Sequence, residues 1–401
     1  MIQITEPEKT QTLTPLLRLG FRPFFLFGSL FGVIAVILWM LMLHNSIYFN
    51  PLGGIHWWHI HEMVFGFGCA ITVGFLLTAV QTWTSVKGAQ GKPLLFLLIL
   101  WFTGRLLVLF PLMVGNTLTL LIDVSFLPIA AYIIGKPIIA IKQYRNLFFV
   151  PLLLLFTIAN LEMHLSLYYP NIFAYQLSSH IGVVLILLLM SIISGRVVPM
   201  FTANGTNTPK ATPSPLLDKL ASAPLAISML MLLLHPIVTF NTTIFGLLLI
   251  LAGIFQSIRW IKWKPWVTLA TPLVWALHSG IKFMSFGLIL LGVSYLITDM
   301  PSNHIWHLLT IGGIGGLILA ITSRVSLGHT GRSLNPPKYM PFAFLCVALS
   351  ATIRVFGPWI WPEHTALFIN ISGLLWVVAF SLFIYHYTPM LISPRADNKP
   401  G

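Results

Sequence analysis

Charge and cysteine are scarce in this sequence. Only 8% of its 401 residues are charged, against about 25% in an ordinary soluble domain. Nine residues are acidic, and the two cysteines, Cys69 and Cys346, each sit inside an apolar run. Two such cysteines exclude a disulfide scaffold, a c-type haem attachment motif and a four-cysteine iron–sulfur site supplied by this chain. No polar stretch is long enough to bury a core of its own, which excludes an appended water-soluble domain. No nucleotide-binding motif occurs, so any transport would be secondary or passive. No cleavable signal peptide is expected, because residues 1–19 are polar and the first apolar run leads directly into a full-length span.

What the chain has instead is apolar length. Hydrophobic residues make up 57%, arranged in runs that predict twelve membrane spans: 23–43, 61–82, 93–113, 117–139, 147–166, 172–198, 217–235, 240–258, 273–297, 304–323, 340–360 and 366–388. Each is about 20 residues or somewhat more, as a bilayer-crossing helix requires. Lys and Arg occupy the N-terminal segment, the loops after the even spans and the C-terminus. The loops after the odd spans have neither. This positive-inside pattern predicts cytoplasmic termini and outward-facing odd loops. It also accounts for the net charge of +13 without nucleic acid. The expected fold is therefore an all-α integral membrane bundle of about twelve helices. It forms a single polytopic domain over 1–401, with a cytoplasmic N-terminus (1–22), a bundle (23–388) and a cytoplasmic C-terminus (389–401). A polar loop from Thr202 to about Leu216 separates two six-span halves, between which no sequence repeat is evident.

Histidines then sort by depth. At the outer ends lie His56, His59 and His61 (span two), His164 (five), His180 (six), His235 (seven), and His304 and His307 (ten). His278, His329 and His386 lie toward the inner face. A histidine beside interfacial tryptophan is ordinarily an anchor in the aromatic belt, and His44, His56, His235 and His364 fit that reading. His59, His61 and His307 together point elsewhere. They share a depth on two helices that also carry glycine runs, Gly66, Gly68 and Gly74 on one and Gly312, Gly313, Gly315 and Gly316 on the other. Such glycines admit a neighbouring helix or a flat cofactor, and neutral imidazole in an apolar site is a ligand for haem iron or copper. His59 and His61 project about 200° apart on a helix, which assigns them to different sites. Glu62, three residues after His59, could orient that ring.

Near the inner face, Arg196 and Arg324 read equally as snorkelling anchors and, with His278 and His329, as a basic cluster for haem propionates or another anion. Arg105, Asp123, Glu162, Lys282 and Arg354 interrupt apolar faces and are expected to pair inside the bundle, Arg105 with Asp123 first.

Several stretches resemble the NnrS family. They are Gly20-Phe21-Arg22-Pro23-Phe24-Phe25, Trp58-His59-Ile60-His61-Glu62-Met63-Val64-Phe65-Gly66-Phe67, Gly74-Phe75-Leu76-Leu77-Thr78-Ala79-Val80, Gly195-Arg196-Val197-Val198-Pro199-Met200-Phe201-Thr202, Leu277-His278-Ser279-Gly280, and His307 through Arg332. The resemblance implies a bacterial inner-membrane protein of about twelve spans that contains haem and copper and serves the response to nitric oxide. The family pattern falls on His59, His61, Glu62, Arg196, His278, His307, Arg324, His329 and Arg332; His164, His180 and His304 lie outside it. The layout also resembles the catalytic subunit of haem–copper oxidases, which places low-spin haem ligands near the outer ends of spans two and ten, although that family's signatures are absent.

These readings converge on a haem b held between spans two and ten by His59 or His61 and by His307, with Arg196 and Arg324 toward its propionates and Glu62 orienting a ligand. His59, His61, His307, His278, His329, His304 and His180 are the candidate metal ligands, with copper as the second metal. Nitric oxide or a related small molecule and the lipid bilayer are the expected partners, and a nitric-oxide-related oxidoreductase is one form the activity could take. The alternative is a secondary transporter for a metal, haem or small anion. A third reading is an assembly factor for another metalloenzyme.

Overall fold

A computed structural model describes residues 12–111, 115–297, 300–397 and 399. Among the described residues, twelve helices are long and apolar enough to cross a membrane: α1 (Phe21–Leu43), α2 (Gly54–Thr84), α3 (Lys92–Leu109), α4 (Asn116–Ala140), α5 (Tyr144–Leu165), α6 (Tyr175–Thr206), α7 (Pro215–Leu233), α8 (Thr242–Lys262), α9 (Pro272–Ser294), α10 (Ser302–His329), α11 (Met340–Ile360) and α12 (Pro362–Leu391). They correspond one to one with the twelve spans read from the sequence. Their outward faces carry large apolar side chains, among them Ile99 and Phe102 on α3, Leu121 on α4, and Leu345 and Leu349 on α11, each at least half exposed. In a soluble protein that surface would be an aggregation hazard. In a bilayer it is the lipid-facing coat.

Local chemistry sets the ends. Asn241 caps α8, its Oδ1 accepting from the Ile244 N–H at 3.0 Å, one of the orphan donors of a helix N-terminus. Prolines open α3, α7, α9 and α11, where the missing N–H costs nothing. Several boundaries differ from the sequence reading, three of them informative. Helix α2 starts at Gly54, after a left-handed Gly53 (φ 70°) that turns the chain into it. Helix α6 continues through the expected loop start at Thr202 to Thr206. The Thr206 hydroxyl is satisfied within that extension, donating to the Thr202 carbonyl at 2.7 Å. Helix α10 likewise includes His329, expected just beyond its end.

Contacts divide the chain into two compact units that are discontinuous in sequence. Unit 1 comprises Met1–Gly182, Val325–Ser333 and Phe383–Gly401; unit 2 comprises Val183–Arg324 and Leu334–Leu382. The division falls inside α6, α10 and α12, not in the polar loop after Thr202.

Helices α2 and α10 share a feature that periodicity did not announce. Each begins as a short α-helix, ending at His61 and His307 respectively, and then widens into π-helix over Glu62–Gly68 and Leu308–Gly315. Such widenings cluster at functional sites. In unit 1 the widened stretch presents the Gly66 carbonyl to the Trp101 indole N–H at 3.0 Å.

Candidate metal centre

Within unit 1 the π-helical entry of α2 faces the matching ends of α3, α4 and α5, and six polar side chains converge there. Arg105 of α3 donates through Nη1 to both Glu62 carboxylate oxygens at 2.9 Å and through Nη2 to Asp123 Oδ1. Asn160 of α5 donates to Asp123 Oδ2 at 2.8 Å, and His164 Nε2 stands 3.0 Å from the same oxygen. His61 Nδ1 lies 2.9 Å from Glu62 Oε1, while its Nε2 lies 3.1 Å from Asp123 Oδ2 and 2.9 Å from Asn160 Oδ1. His61 and Glu62 are both 0% exposed. Trp57 covers the cluster. Its ring stacks on His61 with centroids 4.6 Å apart and 10° between planes, stands edge-on to His164, and is pinned by Nε1–H to the Met163 carbonyl at 3.1 Å.

The proton inventory of this cluster is unusual. Glu62 receives two bonds from Arg105 and is therefore a carboxylate, so His61 Nδ1 must be the N–H that donates to it. In a neutral imidazole Nε2 is then a lone pair. That lone pair is aimed at Asp123 Oδ2 and Asn160 Oδ1, both of which are acceptors. The Asn160 amide cannot be reversed to relieve this, because its N–H₂ already faces the Asp123 carboxylate. The charges agree: Glu62 and Asp123 against Arg105 leave the buried cluster one negative charge in excess. A cation between His61 Nε2 and Asp123 Oδ2 resolves both conditions, and an isolated buried charge is costly.

The geometry fits a metal ion. One ligand atom each from His61, Asp123 and His164 can be chosen so that all lie within 4.8 Å of one another, and all three residues are buried. Donor atoms about 3 Å apart are what metal bonds of about 2.0–2.2 Å at open angles require. Two imidazoles and one carboxylate suit copper, zinc or iron(II). The Glu62–His61 bond is the outer carboxylate contact that fixes the tautomer of a ligating histidine.

The sequence-derived candidates fall into different places. His61 is in the cluster, and the Arg105–Asp123 pair forms as expected. Glu62 orients His61, its immediate neighbour, whereas helical spacing pointed it at His59. Adjacent side chains leave a helix about 100° apart, and these two meet because both lean toward Arg105 and Asp123. His59 stacks on Trp39 of α1 at 4.3 Å and 23°. In unit 2, His307 Nδ1 donates to the Asn303 carbonyl at 3.2 Å, which leaves Nε2 as the lone-pair atom. His304 Nδ1 accepts from Arg354 at 2.6 Å, so its Nε2 carries the proton. His278 Nε2 pairs with Thr202 Oγ1 at 2.8 Å, and Arg324 lies 4.0 Å over the Phe201 ring. Arg196 is exposed, and His180 is half-buried near the start of α6. His329, in unit 1, packs against Phe21 at 5.6 Å. The glycine face of α10 is packed: a Cβ on Gly312 would lie 2.6 Å from Phe283 of α9, one on Gly315 would lie 2.4 Å from Trp376 of α12, and across the same seam a Cβ on Gly280 of α9 would lie 2.9 Å from the Leu317 backbone nitrogen.

Asn160 and His164 were not joined to the site by sequence. The signal that could have found them is matched depth. His61 starts span two, Arg105 ends span three, Asp123 starts span four and His164 ends span five, so all four sit at the same membrane end.

Fold and site together define a polytopic helical membrane protein with a buried histidine–carboxylate cluster. The chain belongs to the NnrS family: the family model, described as NnrS protein, matches residues 15–395, nearly the whole chain. No curated protein matches it.

Proposed function

We propose that this protein is a metal-centred inner-membrane protein of the nitric oxide response, in which His61, Asp123 and His164 hold a redox-active transition-metal ion and a haem b takes His59 or His307 as a ligand. The observation that carries the reading is the lone pair of His61 Nε2, aimed at two acceptors in a cluster short of one positive charge. Copper is the ion that the family resemblance implies, and the donor set accepts it. Three protein ligands leave a coordination position open, as a centre that meets a small molecule needs. Nitric oxide is small and apolar enough to reach such a site through the bilayer.

Haem is assigned away from His61, whose two ring nitrogens and one ring face are already engaged. His59 and His307 are half-buried, and neutral imidazole is a ligand that haem iron uses. The orientation, with termini in the cytoplasm and the centre toward the outer face, rests on the Lys and Arg distribution.

The visible spectrum of the purified, detergent-solubilised protein tests the haem assignment. A Soret band that shifts with nitric oxide is expected, absent in His59→Ala or in His307→Ala and retained in His164→Ala. A colourless wild-type protein overturns it.

A second reading of the cluster uses the same observation. If His61 is an imidazolium, its Nε2–H donates to Asp123 and Asn160 and the network is purely structural. The two differ in metal content.

A further inference from the structure

A second polar cluster lies at the other end of unit 1, where the Lys- and Arg-bearing segments are. Arg18 from the N-terminal segment, Arg22 from the first turn of α1, Arg332 from the end of α10 and Arg395 from the C-terminal segment crowd one corner, close enough for Arg18, Arg332 and Arg395 all to repel Arg22. Among the described residues their one carboxylate partner is Asp397, bound through both oxygens by Arg395 at 2.8 and 2.6 Å. The C-terminal strap closes over the corner, held by the Ala396 N–H on the Thr330 carbonyl at 2.9 Å and by Arg395 Nη1 on the His329 carbonyl at 2.9 Å.

Arg22 is the residue this arrangement does not explain. It is 0% exposed. Its Nη1 donates to the Leu391 and Ser393 carbonyls at 2.9 and 2.7 Å, but Nε and Nη2 are buried without a hydrogen-bond partner. These two nitrogens form one edge of the guanidinium fork, the edge that binds two oxygens of one oxyanion side by side. The amino end of α1 adds its partial positive charge at the same place. Arg332, half-buried at the rim, gives one donor to the Thr330 carbonyl at 3.3 Å and keeps others to offer.

We propose that this corner is an anion site for the phosphate of an acidic phospholipid, taken from the leaflet at that end of the bundle, which the positive-inside reading makes the cytoplasmic one. Phosphate presents paired oxygens to the Nε–Nη2 edge of Arg22 and further oxygens to Arg332. A lipid is favoured over a free ion because the corner lies at the ends of α1, α10 and α12, at headgroup level. Basic pockets between helices on the cytoplasmic side recognise such headgroups. The site is independent of the metal centre.

The test uses the full-length protein in detergent, with lipid retention read by native mass spectrometry and thermal stability read in parallel. Dioleoylphosphatidylglycerol, dioleoylphosphatidylcholine and inorganic phosphate are the probes. Phosphatidylglycerol is expected to be retained and to raise the unfolding temperature, and phosphatidylcholine is not. Arg22→Gln and the rim variant Arg332→Gln should each weaken phosphatidylglycerol about tenfold or more, the loss of a charge-assisted contact, while Lys210→Gln, in the loop between α6 and α7, leaves it unchanged. Equal retention of the two lipids overturns the proposal, as does undiminished binding by Arg332→Gln and Arg22→Gln. Stabilisation by inorganic phosphate with no further gain from phosphatidylglycerol overturns the lipid as its source.

Discussion

His61 Nε2 lies 3.1 Å from Asp123 Oδ2 although His61 Nδ1 already donates its proton to Glu62. A lone pair facing a carboxylate oxygen inside a membrane bundle calls for a cation, and the assignment of a metal centre follows from that contact. Glu62 is the residue that sets it up. Glu62→Gln removes the anion that fixes the tautomer and can offer its amide N–H₂ to Nδ1, releasing Nε2 from its lone-pair role. Metal affinity is expected to fall about 10–100-fold, the usual effect of losing an outer carboxylate contact. Competitive titration with a chelator measures it; unchanged affinity would detach Glu62 from the site.

Arg105 bridges the two carboxylates, so it should matter to folding as well as to the site. Arg105→Met leaves Glu62 and Asp123 buried without their counter-charge, a destabilisation of about 3–5 kcal/mol. Adding Asp123→Leu removes one of those charges, and the double variant should be more stable than the sum of the singles by about 0.5–3 kcal/mol. Thermal or denaturant unfolding in detergent reads the cycle. Strict additivity would mean that the two side chains do not act on each other.

The spans were legible because a bilayer imposes both length and polarity on each helix, and the Lys and Arg distribution left no room for a missed one. The centre was legible only in part. Hydropathy places a polar residue at a depth, but it does not say which helices are neighbours. Arg105 and Asp123 could be paired because they sit on consecutive spans, whereas Asn160 and His164 join His61 across two intervening helices. The π-helical widening that begins at Glu62 has no periodic signature, so the Glu62–His61 contact was read as Glu62–His59. The glycines of α10 were ambiguous for a different reason. A residue without a side chain records that something comes close, not whether it is a cofactor or, as here, helix α9.

That packing role gives a separate expectation. In Gly280→Ala the new methyl would stand 2.9 Å from the Leu317 backbone nitrogen, an atom that cannot swing aside. Overpacking of this kind costs about 1–3 kcal/mol. The unfolding temperature should drop while haem and metal per folded molecule stay at wild-type levels. Loss of haem from protein that remains folded would restore the glycine face as a cofactor bed.

The C-terminal strap should respond to acid. Hydrogen bonds from Arg395 hold the Asp397 carboxyl below its ordinary value of 3.8. A depressed carboxylate stabilises the folded arrangement at every pH above its unfolded value, and that contribution fades as pH falls through the folded one. Amide exchange at residues 393–397 should stay protected down to about pH 4 and rise only below it, after correction for intrinsic rates. In Asp397→Asn protection should be reduced throughout and lose its pH dependence. A transition near neutrality would mean that another group fastens the strap.

The metal centre itself is tested most directly by elemental analysis of protein purified without added chelator. One transition-metal ion per chain beyond the haem iron is expected in the wild type, lost in His164→Ala and Asp123→Ala and kept in His59→Ala. Wild-type protein from metal-replete cells without a non-haem metal, or non-haem metal that survives His164→Ala, would contradict a metal centre and leave His61 as an imidazolium in a structural network.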